Sequence, residues 1–336
     1  PAPPAAQPRQ AQRAAGTGGG VQAGVAQRQA APSLSAGQLQ SLAAQWGAQL
    51  RAQIERRKRY PNAARGASGQ VTVRITVDRA KRSAKVDFTG TSPVMKNNFN
   101  APEPVARAAV LYAFRVMVEG QIPMNAGCLR PIEIVIPDGC MLRPTYPAAV
   151  VAGNVETSQH VTNALFAALG ALANSQGTMN NLTFGNATYQ YYETICSGSP
   201  AGRMNDGRGF HGTSGVHVHM TNSRLTDPEI LELRFPVMLE DFHIREGSGG
   251  TGKWRAGDGT RRTIRFLETM ECAILSSHRG HPPRGLDGGS DGEVGKTEVR
   301  RKDGTVETLK ACDQTVIEAG EAVIVTTPTA GGFGRG

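Results

Sequence analysis

Within residues 71–336 the hydrophobic pattern of this chain changes near Asn186, and that change limits the folds open to it. Upstream, long segments repeat apolar residues every three or four positions. Downstream, only short runs of β-forming residues remain, separated by glycine and other turn formers. The expected fold class is therefore α+β: a mixed helical and β-sheet half over about residues 71–186, then a β-rich, glycine-loop-rich half. In the first half, Val71, Val73, Ile75 and Val77 alternate with polar residues, and Ala84–Phe88 reads as the partner strand across a polar turn. Asn100 is placed to cap a helix with Pro102 and Glu103 in its first turn, running through Val105, Ala109, Tyr112 and Val116 to Gly120. Ile132–Ile136 is a short strand. Beyond Asn186 the expected strands are Tyr189–Ile195, Val216–Met220, Ile230–Phe235, Arg262–Leu267, Glu271–Ser276 and Ala322–Val325, with a hairpin around Lys302-Asp303-Gly304.

Ahead of that body, residues 1–33 are almost wholly Ala, Gln, Pro, Gly and Arg, a composition expected to stay disordered. Residues 34–60 change character. Leu39, Leu42, Trp46, Leu50 and Ile54 recur at helical spacing, so an amphipathic helix is expected there. The folded domain is expected over residues 71–336. The net charge of +9 raises nucleic acid or an acidic membrane as partners, yet eight basic residues and one acid lie before residue 61, so the rest is nearly neutral. Neither partner is expected. Five cysteines without CxxC spacing fit a reducing cytoplasm better than a disulfide framework. No apolar run reaches the roughly 20 residues needed to span a bilayer. The first residue is Pro rather than Met, and a fragment of a longer protein is expected.

The segment Val150–Asn186 holds the densest candidate site. Its apolar stripe Val161, Leu165, Ala168 and Leu172 marks a core-facing helix, flanked by the polar loops Gly153-Asn154-Val155-Glu156-Thr157-Ser158 and Gly177-Thr178-Met179-Asn180-Asn181. Two readings stand side by side. The loops are capped helix ends, or they form a wall whose neutral donors, Asn154, Thr157, Ser158, Asn180 and Asn181, hold a small polar substrate. Glu156 and Glu193 are the acids in the least charged surroundings, where a carboxyl can rise toward the range of a general base. Arg224 sits in a donor-rich segment and suits a carboxylate. His217 and His219, two apart on an expected strand, share one face, with His211 as a third ligand upstream; polar strand residues near a site wall are the alternative to a metal. The loop Gly247–Gly252 lacks a Gly-Lys-Ser/Thr ending and reads as a tight connection. There is no GxSxG elbow, so acyl-enzyme chemistry has no specific support.

Several longer runs carry a resemblance. Asp87-Phe88-Thr89-Gly90-Thr91-Ser92-Pro93, Asn97–Pro102, Ile122–Cys128, Tyr146–Val150, His219–Glu229, Gly249–Arg255 and Thr327–Gly334 together resemble the C-terminal part of the hydantoinase B/oxoprolinase family, over about Val71 to the end. The resemblance implies ATP-dependent hydrolytic ring opening of a cyclic amide, 5-oxo-L-proline to L-glutamate, as in bacterial 5-oxoprolinases. It implies a hydantoinase A-type ATPase subunit or domain as partner, which would bind ATP with Mg, a small lactam substrate, and an oligomeric assembly. It places a divalent metal in the amino-terminal half of the B part, which has no counterpart here, so an isolated chain is expected to be inactive. An acetone/acetophenone-type carboxylase or an N-methylhydantoinase subunit is an alternative within the family. A truncated assembly module is another. Under the first reading Arg224 would take the substrate carboxylate.

Overall fold

The computed structural model describes residues 69–336 except Arg79 and Glu119. The expected tail at 1–33 and helix at 34–60 lie outside these residues. Two strands open the described part, β1 (Arg74–Asp78) and β2 (Ser83–Asp87), paired antiparallel across the turn that the alternation predicts. Strand β3 (Ile132–Val135) then runs parallel to β2. A parallel pair cannot be joined by a tight turn, and the connection contains helix α1 (Glu103–Val116). Pro102 and Glu103 start α1 as expected, but Asn100 does not cap it. Its carboxamide instead accepts from Met95 N and donates to the carbonyls of Met95, Asn97 and Ala149, tying three stretches of chain together. Arg115 closes the other end by donating to the carbonyls of Val118, Gly120 and Ile122.

Helix α2 (Ser158–Ala168) packs on α1, with Tyr112 and Phe166 edge to face at 6.0 Å. Its buried Val161 and Leu165 join Val86, Phe88, Val110 and Phe114 in the first hydrophobic core. The expected loop ahead of it is not a loop. Val151 and Ala152 are already helical, and Gly153–Thr157 form a π-helical turn that leads straight into α2. Gly153 makes this possible, because a Cβ there would lie 2.1 Å from Asn100 O.

The second half is a pair of antiparallel sheets over a second core. One has the order β13-β10-β4-β5, built from β4 (Asn181–Gly185), β5 (Gln190–Glu193), β10 (Met270–Leu275) and β13 (Cys312–Ile317). The other has the order β12-β11-β14-β9-β8, built from β8 (Val237–Ile244), β9 (Thr260–Phe266), β11 (Lys296–Arg300), β12 (Val306–Leu309) and β14 (Ala322–Thr326). Leu182, Phe184 and Ile274 from the first sheet meet Ile264, Phe266 and Val323 from the second, with Phe184 and Phe266 at 5.1 Å. A short pair, β6 (Gly202–Arg203) with β7 (Gly209–Phe210), lies outside both sheets.

Two expected strands are absent. Pro228–Arg234 is helix α3, started by Pro228 and capped by Asp227, whose carboxylate accepts from Glu229 N. Those start signals outweigh the β-formers Ile230 and Phe235. Val216–Met220 contributes a single bridge to Ser197, after which His219 turns into the left-handed region at φ 58°. The loop at Gly249 and Gly250 packs backbone to backbone against Ala256 and Gly332, where any Cβ would collide. No helix among the described residues is long and apolar enough to cross a membrane.

Candidate active site around Glu156

The register of the four-stranded sheet builds the site. Asn181, first residue of β4, sits opposite Leu275 at the end of β10, and Leu275 sits opposite Cys312 on β13. The loop ahead of β4 and the polar run after β10 therefore emerge side by side. The π-turn ahead of α2 adds Glu156 to them.

Glu156 is fully buried and lopsidedly solvated. Its Oε1 accepts from Thr178 Oγ1 at 2.7 Å, Asn181 Nδ2 at 2.8 Å and Met179 N at 3.2 Å. Its Oε2 has no partner. Burial pushes the carboxyl up to about 7, against the pull of Thr178, of Met179 N and of the Arg279 charge. Such a group exchanges its proton near neutrality, as a general acid or base must.

Around it the network is continuous. Tyr192, half exposed on β5, donates to Asn181 Oδ1 at 2.7 Å, and Asn181 Nδ2 also donates to Leu275 O at 2.8 Å. His160 on α2 contacts Ser277 Oγ at 3.0 Å through Nε2, and Ser277 donates to Gly177 O. The His160 and His278 rings lie 5.1 Å apart. Desolvation pushes His160 down to about 3 and His278 to about 4, so both are neutral imidazoles. His278 Nδ1 faces the His281 carbonyl at 2.7 Å and must donate, which leaves Nε2 unprotonated and without a partner. Gly177 admits this ring: its φ is +65°, and a Cβ would meet His278 at 2.5 Å.

The expected site residues separate into groups. Glu156, Asn180 and Asn181 come together. Thr157 and Ser158 lie in the same turn, but their hydroxyls donate to Phe99 O and Asn154 O and so brace the helix. Asn154 is exposed, and being within a helical turn it presents no free N-terminus. Glu193 belongs elsewhere, in a buried pair with Arg262 at 2.8 and 3.1 Å, with Tyr191 donating to it as well. Arg224 is exposed on the segment leading to α3. His211 accepts from Arg255 N beside Trp254, His219 is wedged against Phe166 and Tyr112, and the ring nitrogens of His217 are buried without partners. With no strand at 216–220, the shared face expected of His217 and His219 does not exist. Among the described residues no group of three or more His, Cys, Asp or Glu side chains is placed to hold a metal. His160, Tyr192, Ser277, His278 and Arg279 join the site without being among the residues expected there. The signal was present in Ser276-Ser277-His278-Arg279, a dense polar run at a strand end.

Solved structures share this fold. An ATP-dependent caprolactamase from Pseudomonas jessenii superposes with a TM-score of 0.70 at 18% identity, covering 90% of this chain and 57% of that one. A nucleotide-free acetone carboxylase superposes at 0.67 and 16% identity, covering 79% and 41%. In sequence the chain is 49% identical over 264 residues to 5-oxoprolinase 1 of Arabidopsis thaliana, covering 79% of this chain and 20% of that protein. It is 45% identical over 266 residues to the 5-oxoprolinase of Dictyostelium discoideum, covering 79% and 21%. The chain thus spans about one fifth of the length of these relatives. The sequence model described as hydantoinase B/oxoprolinase matches residues 34–336, so it reaches back beyond the motif runs, which begin only at Asp87. With nine-tenths of its length matched in this way, the chain belongs to the hydantoinase B/oxoprolinase family.

Proposed function

We propose that this chain is the B-type portion of an ATP-dependent enzyme that opens a cyclic amide by hydrolysis, with 5-oxo-L-proline as substrate and L-glutamate as product. The observation that carries the reading is Glu156: a buried carboxyl poised near pH 7, with one oxygen held by neutral donors and the other free. A lactam carbon is a poor electrophile. Phosphorylation of its oxygen, by ATP with Mg on a hydantoinase A-type partner, activates that carbon. Water then adds, the ring C–N bond breaks as nitrogen gains a proton, and a second water releases phosphate from the acyl phosphate. Each addition of water gives up a proton, and the ring nitrogen takes one. Glu156 Oε2 is the atom assigned to that exchange, and its donors Thr178, Asn181 and Met179 N fix the other oxygen in place. The identity to two 5-oxoprolinases supports this substrate over a ketone.

The test is reconstitution with the A-type part and measurement of phosphate and glutamate released from 5-oxoproline and ATP. Glu156→Gln is expected to lower turnover at least a hundredfold, the scale of a lost acid–base group, with the fold unchanged by circular dichroism. Turnover of a ketone with bicarbonate, and none of 5-oxoproline, would reject the substrate. Full activity of the Gln variant would remove Glu156 from the chemistry.

A further inference from the structure

Arg279 is a cation mostly withdrawn from water whose described partners are all neutral. Its Nη1 donates to Ser277 O at 3.0 Å, and its Nη2 donates to Asn180 Oδ1 at 3.0 Å and Thr297 Oγ1 at 3.3 Å. Its Nε is buried and has no acceptor. No carboxylate among the described residues forms an ion pair with it, although Glu156 lies within electrostatic reach. Burial lowers the guanidinium only to about 10, so it stays charged at neutral pH. Glu156, raised to about 7, offsets that charge only in part.

The surrounding chain is shaped to hold the group. A Cβ on Gly295 would lie 2.5 Å from Arg279 Nη1, so only glycine leaves room there. Asn180, which takes one N–H, is held in the left-handed region at φ 45°, a conformation that costs free energy in a residue with a side chain. Its own amide donates to Gln176 Oε1 and Ile195 O, and its backbone N to Thr178 Oγ1, the hydroxyl that also serves Glu156. A charge desolvated in this way, with one buried nitrogen left without an acceptor, is costly unless an anion completes it.

We propose that Arg279 is the oxyanion-binding residue of this site, and that its Nε–H receives an oxygen of the substrate carboxylate or of the phosphoryl group during turnover. The assignment rests on the reading of the Glu156 cluster as the substrate site. It replaces Arg224, which is exposed and has no part in that cluster. A guanidinium already fixed by three neutral acceptors loses little freedom on meeting an anion, which suits it to selecting charged over uncharged lactams.

The experiment follows the Arg279 Nε–H resonance of this chain by ¹H–¹⁵N spectroscopy, assigned with R279K, while 5-oxo-L-proline, 2-pyrrolidinone or inorganic phosphate is added. A shift with 5-oxoproline and not with uncharged 2-pyrrolidinone is expected and assigns the carboxylate. A shift with phosphate alone supports the oxyanion role and assigns the phosphoryl group. No shift with either anion, or equal shifts with both lactams, overturns the proposal. In the assembled enzyme R279K is expected to raise KM for 5-oxoproline roughly 10- to 100-fold, the scale of a lost charge-assisted hydrogen bond, while KM for 2-pyrrolidinone stays within about twofold. Anion binding that persists while E156Q keeps full turnover would sink the catalytic reading and leave this one standing.

Discussion

Glu193 and Arg262 form a two-bonded ion pair inside the β-sandwich, at 2.8 and 3.1 Å, with both side chains almost fully buried and Phe242 lying 5.3 Å from the guanidinium carbon. Both charges are desolvated, so removing one strands the other. Arg262→Ala is expected to cost roughly 3–5 kcal/mol in urea unfolding. Replacing the pair with Glu193→Leu and Arg262→Met together should recover most of that loss. A single variant as stable as the parent would show that water reaches the pair.

The two acids singled out by sequence thus part company. Glu156 is raised to about 7 from an ordinary 4.5, so the folded state holds its proton more tightly than the unfolded chain does. Its contribution is most favourable below pH 4.5 and is lost as pH rises toward 7, by on the order of 3 kcal/mol from the linkage of about 1.4 kcal/mol per pH unit. Glu156→Gln removes that slope. The stability difference between variant and parent should therefore move in favour of Gln as pH rises from 4.5 to 7, and a difference constant with pH would contradict the buried, unpaired Oε2.

His160 and His278 act in the opposite sense. Both are lowered by burial, to about 3 and about 4 from 6.5, so the folded state resists their protonation. Their contribution is present above pH 6.5 and drains away as pH falls toward 4. His160→Gln, which keeps an N–H for Ser277 Oγ, should flatten this acid limb in thermal melts recorded between pH 7 and 4. An unchanged limb would mean that His160 is hydrated in the folded state.

Tyr192 links the surface to the buried acid, since its phenol donates to Asn181 Oδ1 while Asn181 Nδ2 donates to Glu156 Oε1. Tyr192→Phe leaves the Asn181 oxygen to water and weakens its grip on Glu156. The Glu156 carboxyl band followed by infrared spectroscopy should then titrate at higher pH than in the parent. A midpoint that stays put would show that Asn181 is held sufficiently by Leu275 O alone.

Local chemistry made most of the architecture legible. Alternation located β1 and β2, Pro102 and Glu103 located the start of α1, and the apolar stripe located α2. Strand β4 was hidden because Asn181-Leu182-Thr183-Phe184-Gly185 follows a polar loop, and its pairing with β10 comes from residues about 90 positions away. The same distance hid half of the site. Glu156, Asn180 and Asn181 share one stretch of sequence and were found together, whereas Arg279 and Ser277 arrive only through the β4–β10 register. Side-chain identity marked Glu193 as a candidate, but its partner Arg262 lies on the opposite sheet, where no local pattern points.

The π-turn is where backbone and chemistry meet. An extra residue in a helical turn misaligns the i to i−4 bonds, a local cost that persists in helices mainly at functional positions. Here it turns Glu156 inward to meet Thr178 and Asn181, and it is seated on Asn100 and Ala101 through Gly153. An added Cβ would lie 2.1 Å from Asn100 O and 2.6 Å from Ala101 Cα, and backbone cannot swing aside as a flexible side chain can. Gly153→Ala must therefore lift the turn away from Asn100, whose carboxamide is already committed to Met95, Asn97 and Ala149. The expected cost is roughly 2–4 kcal/mol in urea unfolding, the upper range for a forced backbone shift. Gly139→Ala is the control, because it tests a positive-φ glycine with open space around its Cβ position and should cost only about 1 kcal/mol. Under the proposed hydrolytic role, Gly153→Ala in the reconstituted complex should also lower kcat more than it raises KM, since the misplaced group is Glu156 rather than Arg279. Equal stability of the two variants would show that the turn adapts freely and that its shape is not what holds Glu156 in place.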